Sequence, residues 1–296
     1  MTENRLHGLT GAISEVGSEA LAIVDRALAE DLASGDVTAR VTVPAGTMSR
    51  ARMVAKQELV AAGMAVARAA FLRVDPTVEV EVAVADGRAV APRTVMMTLA
   101  GDARALLAGE RTALNLLQRM CGVATLTRGY VDAAAGKCRI VDTRKTMPGL
   151  RALDRYAVRC GGGHNHRNDL GAGVLIKENH IRAAGGITAA VTRALREAPH
   201  TLRVECEVTT LDELREALKA GAGAVLLDNM DDETVREAVK IVAGRAVVEV
   251  SGGIDRLRVG ALAELGVDII SVGKLTHSAP AADISLLFEL PDGSWG

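Results

Sequence analysis

"LRVECEVTTLDELREALKAGAGAVLLDNMDDETVREAVKIVAGRAVVEVSGG" spans residues 202–253 and carries three apolar runs, "LRVECEV", "AVLLDN" and "AVVEVS", separated by two helical patterns. The patterns "TLDELREALKAG" and "DDETVREAVKIVAG" open on Thr or Asp and close near Gly. A side-chain oxygen satisfies the first free N–H groups of a helix, and Gly accepts the left-handed backbone that ends one. The runs recur about every 22 residues, and "DIISVG" (268–273) keeps the step. That period fits one strand–helix unit with short loops. Apart from "LRVECEV", the runs do not alternate apolar with polar, so the strands are expected to be buried on both faces, in a parallel sheet with helices outside. Upstream, "CRIVDT" (138–143) and "GVLIKEN" (173–179) bring the count to six, short of eight. The spacing predicts an α/β fold with an incomplete barrel of six or seven strands.

The first half reads differently. Residues 16–32 are helical in pattern, and 48–64 alternate like a strand pair turning near Gln57-Glu58. Residues 78–101 read as a strand, a turn at Asp86-Gly87 and a second strand. A helix follows at 104–120 with Leu107, Leu114 and Leu117 on one side. The change from antiparallel strands to strand–helix repeats sets a domain boundary near 115–125.

A net charge of −2 at pH 7 and only 2% aromatic residues exclude a general nucleic-acid or membrane-surface binder. Cys121, Cys138, Cys160 and Cys206 form no C-x-x-C pair, which fits free thiols in a reducing cytoplasm. The start, "MTENRLHGLT", has no apolar leader, and no run has the length of a membrane span. A cytoplasmic protein is expected.

In barrels the working residues stand at the C-terminal strand ends. Here those positions hold Arg144-Lys145, Lys177, Glu207, Asp228, Ser251-Gly252-Gly253 and Gly273-Lys274. Basic residues on early strands face acids on middle strands, and the last two ends are glycine turns whose backbone N–H groups suit a phosphate. Glu207 and Asp228 suit Mg²⁺ shared with a phosphorylated substrate, or sugar hydroxyls. Glu205 points to the same side as Glu207, and the pattern alone leaves either as the functional acid. Within "DTRKTMPGLRALDRYAVRCGGGHNHRNDL" (142–170), Arg144, Lys145 and Arg167 are read as rim cations for a multiply anionic ligand. Arg151, Arg155 and Arg159 recur at helical spacing and are read as a solvated face. His164 and His166 lack a third metal ligand nearby, so a neutral histidine donating to substrate is expected in place of zinc.

These segments, with "EDLASGDVTA" (30–39), "ERTALNLLQRMCGVATLTR" (110–128), "LIKENH" (175–180) and "VGKLTHS" (272–278), resemble the quinolinate phosphoribosyltransferase family over nearly the whole chain. The resemblance implies an N-terminal α/β sandwich (1–120), a barrel catalytic domain (121–278) and a tail (279–296) that packs back on the first. It implies transfer of phosphoribosyl from 5-phosphoribosyl 1-diphosphate to quinolinate with Mg²⁺, giving nicotinate mononucleotide, pyrophosphate and CO₂. It also implies a homodimer with shared sites. In that reading Arg144, His166, Arg167 and Lys177 hold the dicarboxylate and Arg111 reaches in from the neighbouring subunit. Lys145, Glu207 and Asp228 meet the donor and its metal, while Ser251, Gly253 and Gly273 cradle a phosphate. Departures stand at Asn168-Asp169, Cys206 and Lys274, and Asp169 is expected to compensate Lys274. A related transferase for another aromatic acid, and a catalytically silent binding paralogue, are the rival readings.

Overall fold

The structure, a computed structural model, describes residues 3–290 and 292–295, with side chains from residue 17 onward. The expectation about "MTENRLHGLT" therefore falls on side chains outside the described ones. The chain forms two compact units: Met1–Leu126 with Met147–Gly162 and Ala279–Gly296, and Thr127–Thr146 with Gly163–Ser278.

The first unit holds β1 (Met48–Ala55), β2 (Leu59–Val60), β3 (Glu79–Val82), β4 (Ala89–Val90) and β5 (Val95–Asp102). A strand from the tail, Ile284–Phe288, joins β1, β5 and β3 in a four-stranded antiparallel sheet, lying outside β1. The strand pair expected within 48–64 does not form. Both edges of β1 are occupied, by β5 and by the tail strand, so β2 pairs with β4 in a separate ribbon. The expected turn is present, with Gly87 at φ +84°, but it leads from β3 into β4 and only then into β5. Met64–Val74 is a helix that the alternation upstream concealed; its run of alanines favours helix, and Ala67, Ala70 and Phe71 are wholly buried. The helix expected at 104–120 runs over Ala103–Ala134, with Leu106 rather than Leu107 joining Leu114 and Leu117 in the core. A Cβ at Gly122 would collide with the Pro280 carbonyl, so glycine lets the tail approach this helix.

The helix Arg151–Cys160 clusters with the first unit. Only Arg159 of its three spaced arginines is exposed; Arg151 and Arg155 are half-buried, so the fully solvated face expected there is corrected. Arg159 lies 5.5 Å from the Tyr156 ring centroid. Asp154, fully buried, is gripped by Arg119 through Nε at 3.0 Å and an Nη at 3.1 Å.

The second unit carries β6 (Arg139–Val141), β7 (Val174–Ile176), β8 (Val204–Val208), β9 (Ala224–Asp228), β10 (Val247–Ser251) and β11 (Ile269–Ser271). They form one parallel sheet in the order β6-β11-β10-β9-β8-β7. The helices between them are capped as the sequence required: Thr210, Asp231 and Asp255 accept from the N–H of Glu213, Thr234 and Arg258 at 3.2, 2.8 and 2.9 Å. Each such cap contributes about 1 kcal/mol. His164 adds a one-residue parallel bridge along the free edge of β6, donating to Ile140 at 2.8 Å and accepting from Asp142 at 3.1 Å. In a flat sheet with ~4.8 Å between strands, that edge would lie well over 10 Å from β8. His166 nevertheless reaches Glu205 of β8, so the sheet curls into an incomplete barrel. The six strands agree with the expected α/β fold class.

Candidate active site

Strand pleating puts Glu205 and Glu207 on the inner face of β8 and the buried Cys206 on the other. A cavity of about 290 Å³ opens at the C-terminal strand ends, where Arg144, Lys145, Arg167 and Lys177 meet Glu207 and Asp228. His166 and Ser251 also line it. A neighbouring cavity of about 360 Å³ shares Lys145, Glu207 and Asp228 and adds Gly253, Gly273 and Lys274. The second unit thus brings together ten of the sequence-predicted site residues; Arg111 lies exposed on Ala103–Ala134 in the first unit.

Each side chain has a visible support. Asp142, wholly buried at the end of β6, accepts the His166 backbone N–H at 2.7 Å and the Asn165 amide at 2.6 Å. Those bonds fix the segment after the three glycines, in which Gly162 turns at φ +89°. Arg167 donates through one Nη to the Gly173 carbonyl at 3.0 Å. Burial, then the neighbouring Arg144, lowers the Arg167 pKa. Two guanidiniums repelling one another at a common wall are relieved by a ligand that brings carboxylates. The Thr143 hydroxyl accepts the Lys145 N–H at 3.1 Å, and the Thr276 hydroxyl donates to the Lys145 carbonyl at 2.9 Å.

Lys177 Nζ lies 2.5 Å from Glu207 Oε2. Glu207 is the acid at the cavity mouth, whereas Glu205 lies deeper and faces His166, which separates two residues that pattern alone could not. Asp228 accepts from the Asn229 amide at 2.7 Å. Asn229 turns at φ +55° and its N–H donates to the Ser251 carbonyl at 3.0 Å. Gly252 must be glycine: its φ is +99°, and a Cβ there would run into the Asn229 side chain.

His166 Nε2 lies 3.4 Å from Glu249 and 3.6 Å from Glu205. Pairing with Glu205, then with Glu249, pushes the imidazole pKa up to about 10 against the pull of burial. Glu205 is itself raised, chiefly by burial. The two carboxylates favour a second proton on this ring, but taking it up would displace the Arg167 N–H from Nδ1, so the neutral histidine expected from the sequence still fits the geometry. The Arg167 N–H meets Nδ1 at 2.7 Å, so even in the neutral ring the proton sits on Nε2. In either charge state Nε2 has no lone pair for a metal, although it and the two carboxylates lie within 4.8 Å of one another. Sequence reasoning missed Glu249 and Asp142. The one acid in the apolar "AVVEVS" was the available signal for the first.

The raised His166 pKa has a sign in stability. Its contribution is fully present below the ordinary value of 6.5 and is lost as pH rises through about 10. Urea melts of the parent and a His166→Gln variant are expected to show the parent's advantage shrinking between pH 6 and pH 10.5; a constant or growing advantage contradicts the pairing.

Asp169 does not compensate Lys274. Its carboxylate accepts from the Gly171 N–H at 2.8 Å and the Asn168 amide at 3.3 Å, which close its own loop, and no ion pair joins it to Lys274 among the described residues. Those bonds, the Gly171 one first, lower the Asp169 pKa.

Family models described as quinolinate phosphoribosyl transferase match this chain over residues 36–121 (N-terminal domain) and 123–287 (C-terminal domain). A Bacillus subtilis (strain 168) protein named "probable nicotinate-nucleotide pyrophosphorylase (carboxylating)" is 42% identical over 258 residues, covering 87% of this chain and 89% of its own. The mitochondrial quinolinate phosphoribosyltransferase (decarboxylating) 2 of Nicotiana glauca is 40% identical over 283 residues, covering 89% and 80%. The solved nicotinate-nucleotide pyrophosphorylase of Francisella tularensis superposes with a TM-score of 0.86 at 39% identity, over 91% of this chain and 96% of that one.

Proposed function

The chain belongs to the quinolinate phosphoribosyltransferase family, and we propose that the cavity at the C-terminal ends of β6–β11 is where it joins quinolinate to 5-phosphoribosyl 1-diphosphate. The activity is that of a decarboxylating pentosyltransferase in NAD biosynthesis. One observation carries the assignment of the site: a wall of Arg144, Arg167 and Lys177 shares a single cavity with the acids Glu207 and Asp228. A dicarboxylate needs the cations, and an electron-poor ribose carbon needs the acids.

Arg144, Arg167 and Lys177 hold the two carboxylates, and His166 forms part of the same wall. Breaking the bond from ribose to pyrophosphate builds positive charge on the sugar, which Glu207 and Asp228 stabilise in a site shielded from water. Lys145 neutralises the leaving diphosphate, and Ser251, Gly253 and Gly273 border the second cavity, where a phosphate fits. Once N1 carries the ribosyl group its positive charge accepts the electron pair left at C2 as CO₂ departs, so this step needs no organic cofactor. Orientation and fixed charge are the protein's main contribution.

Glu207 and Asp228 offer hard oxygen donors beside Lys145, a donor set that fits Mg²⁺, which uses one or two carboxylates together with substrate phosphates. Held by Glu207 and Asp228, such an ion would supply positive charge against the leaving pyrophosphate. The four cysteines form no disulfide, which supports a reducing compartment, and no helix among the described residues is long and apolar enough to cross a membrane.

A homodimer with shared sites is part of this reading, because Arg111 is an exposed cation that forms no ion pair among the described residues. Mixing Arg111→Ala with Arg144→Ala subunits is expected to recover up to about a quarter of parental activity, since one site of a mixed dimer escapes both changes. Mixed dimers without recovery contradict sharing. A transferase for another aromatic acid predicts preference for nicotinate over quinolinate with the same donor. The paired cations favour quinolinate, and competing the two acids at equal concentration decides. A silent paralogue is disfavoured because Lys145, Glu207 and Asp228 are all in place.

A further inference from the structure

We infer that Lys274 holds the phosphate that the donor carries into the reaction and the nucleotide product carries out, so that one side chain sets both donor uptake and product retention. The inference rests on the phosphoribosyl-transfer reading above.

The two cavities at the C-terminal strand ends divide the reactants between them. Lys145, Lys177, Glu207, Asp228 and Ser251 line both the cavity of about 290 Å³ and the one of about 360 Å³. They mark the junction, where the reacting ribose carbon passes from diphosphate to pyridine nitrogen. Gly252, Gly253, Gly273, Lys274 and His277 line only the larger of the two, and Arg144 and Arg167 only the smaller. The far end of the larger cavity therefore lies away from the breaking bond. A donor with its diphosphate at the junction, beside Lys145 and the two acids, places the phosphate on C5 of its ribose at that far end.

That end combines a bare turn with a cation. Gly252 and Gly253 turn at φ +99° and +59°, and without side chains they let an anion approach the main chain. Of the polar side chains there, Asn229 donates to Asp228 at 2.7 Å, and His277 Nδ1 lies 2.5 Å from the Ser278 hydroxyl oxygen. The Lys274 side chain is exposed and makes no ion pair or hydrogen bond among the described residues. The larger cavity sets Lys145, Lys177 and Lys274 against Glu207 and Asp228, and Lys177 is already paired with Glu207. With Lys145 at the junction, Lys274 is the lysine that faces the far phosphate, which an ammonium meets as a compact point charge. Lys274 is also a position where this chain departs from its family's pattern, so the contact is a property of this chain.

The consequence follows from where each phosphate goes. Pyrophosphate leaves, whereas the phosphate on C5 takes no part in the chemistry and stays on nicotinate mononucleotide. A contact made equally in donor, transition state and product lowers the KM for donor without speeding the chemical step. It also tightens the hold on the product by the same factor. No bond is made or broken at Lys274.

The test measures equilibrium binding to the full chain of three probes: ribose 5-phosphate, nicotinate mononucleotide, and pyrophosphate with Mg²⁺. Lys274→Met keeps the apolar stem and removes the charge at an exposed position. The variant is expected to bind ribose 5-phosphate and the mononucleotide about tenfold more weakly, with pyrophosphate changed less than about twofold. Lys274→Arg should recover most of the loss. In turnover, the Met variant's KM for donor should rise by the same factor, and inhibition by added mononucleotide should weaken equally. Pyrophosphate weakened as much as ribose 5-phosphate would overturn the inference, because Lys274 would then serve the leaving group. Unchanged binding of all three probes would overturn it as well. A parent that binds ribose 5-phosphate yet forms no mononucleotide from quinolinate and donor refutes the underlying reaction instead, and the binding comparison still decides the role of Lys274.

Discussion

Arg167→Ala is expected to lower kcat/KM for quinolinate by about 10²–10³-fold, through loss of a forked guanidinium worth about 3–4 kcal/mol as two charge-assisted hydrogen bonds. The residue is half-buried beside Arg144, and its contact to the Gly173 carbonyl fixes the plane of the fork. Much of the loss should appear in KM for the acid and little in KM for the phosphoribosyl donor, since Arg167 lines the cavity of about 290 Å³ and not the neighbouring one of about 360 Å³. Lysine at this position restores charge but not the planar fork and should recover only part of the loss. Steady-state kinetics with each substrate varied in turn makes the check. Equal changes in both KM values would detach Arg167 from the dicarboxylate.

Arg119→Ala is expected to destabilise the protein by about 3–5 kcal/mol without touching the cavity. Asp154 has no exposed side-chain surface, and burial raises its pKa even with Arg119 paired to it. Removing the guanidinium leaves a buried carboxylate that still accepts the Met147 N–H at 3.3 Å. Replacing both partners together, as Arg119→Met with Asp154→Leu, should cost much less, because the penalty belongs to the orphaned charge. Urea unfolding of the single and double variants separates the outcomes. A double variant as unstable as the single one would show that packing, not charge, carries the loss.

The strand–helix rhythm of 202–273 was legible because each unit closes locally, with caps such as Thr210 and Asp231 written into the chain. The pairing of Ile284–Phe288 with β1 was not, since that contact joins residues more than two hundred positions apart and no local pattern names the partner. The same divide runs through the site. Cations and acids at strand ends could be read from position, so Arg144, Lys177, Glu207 and Asp228 emerge from the sequence and meet in one cavity. The inward reach of His166 depends on the curl of the sheet. Its partners Glu205 and Glu249 therefore became visible only in three dimensions.

The most direct measurement incubates the protein with quinolinate labelled in its C2 carboxylate, 5-phosphoribosyl 1-diphosphate and Mg²⁺, and follows labelled CO₂ against pyrophosphate. The account predicts one CO₂ and one pyrophosphate per nicotinate mononucleotide, with turnover abolished by Glu207→Ala combined with Asp228→Ala. Turnover that leaves the carboxylate on the ring, or that survives loss of both acids, would contradict it.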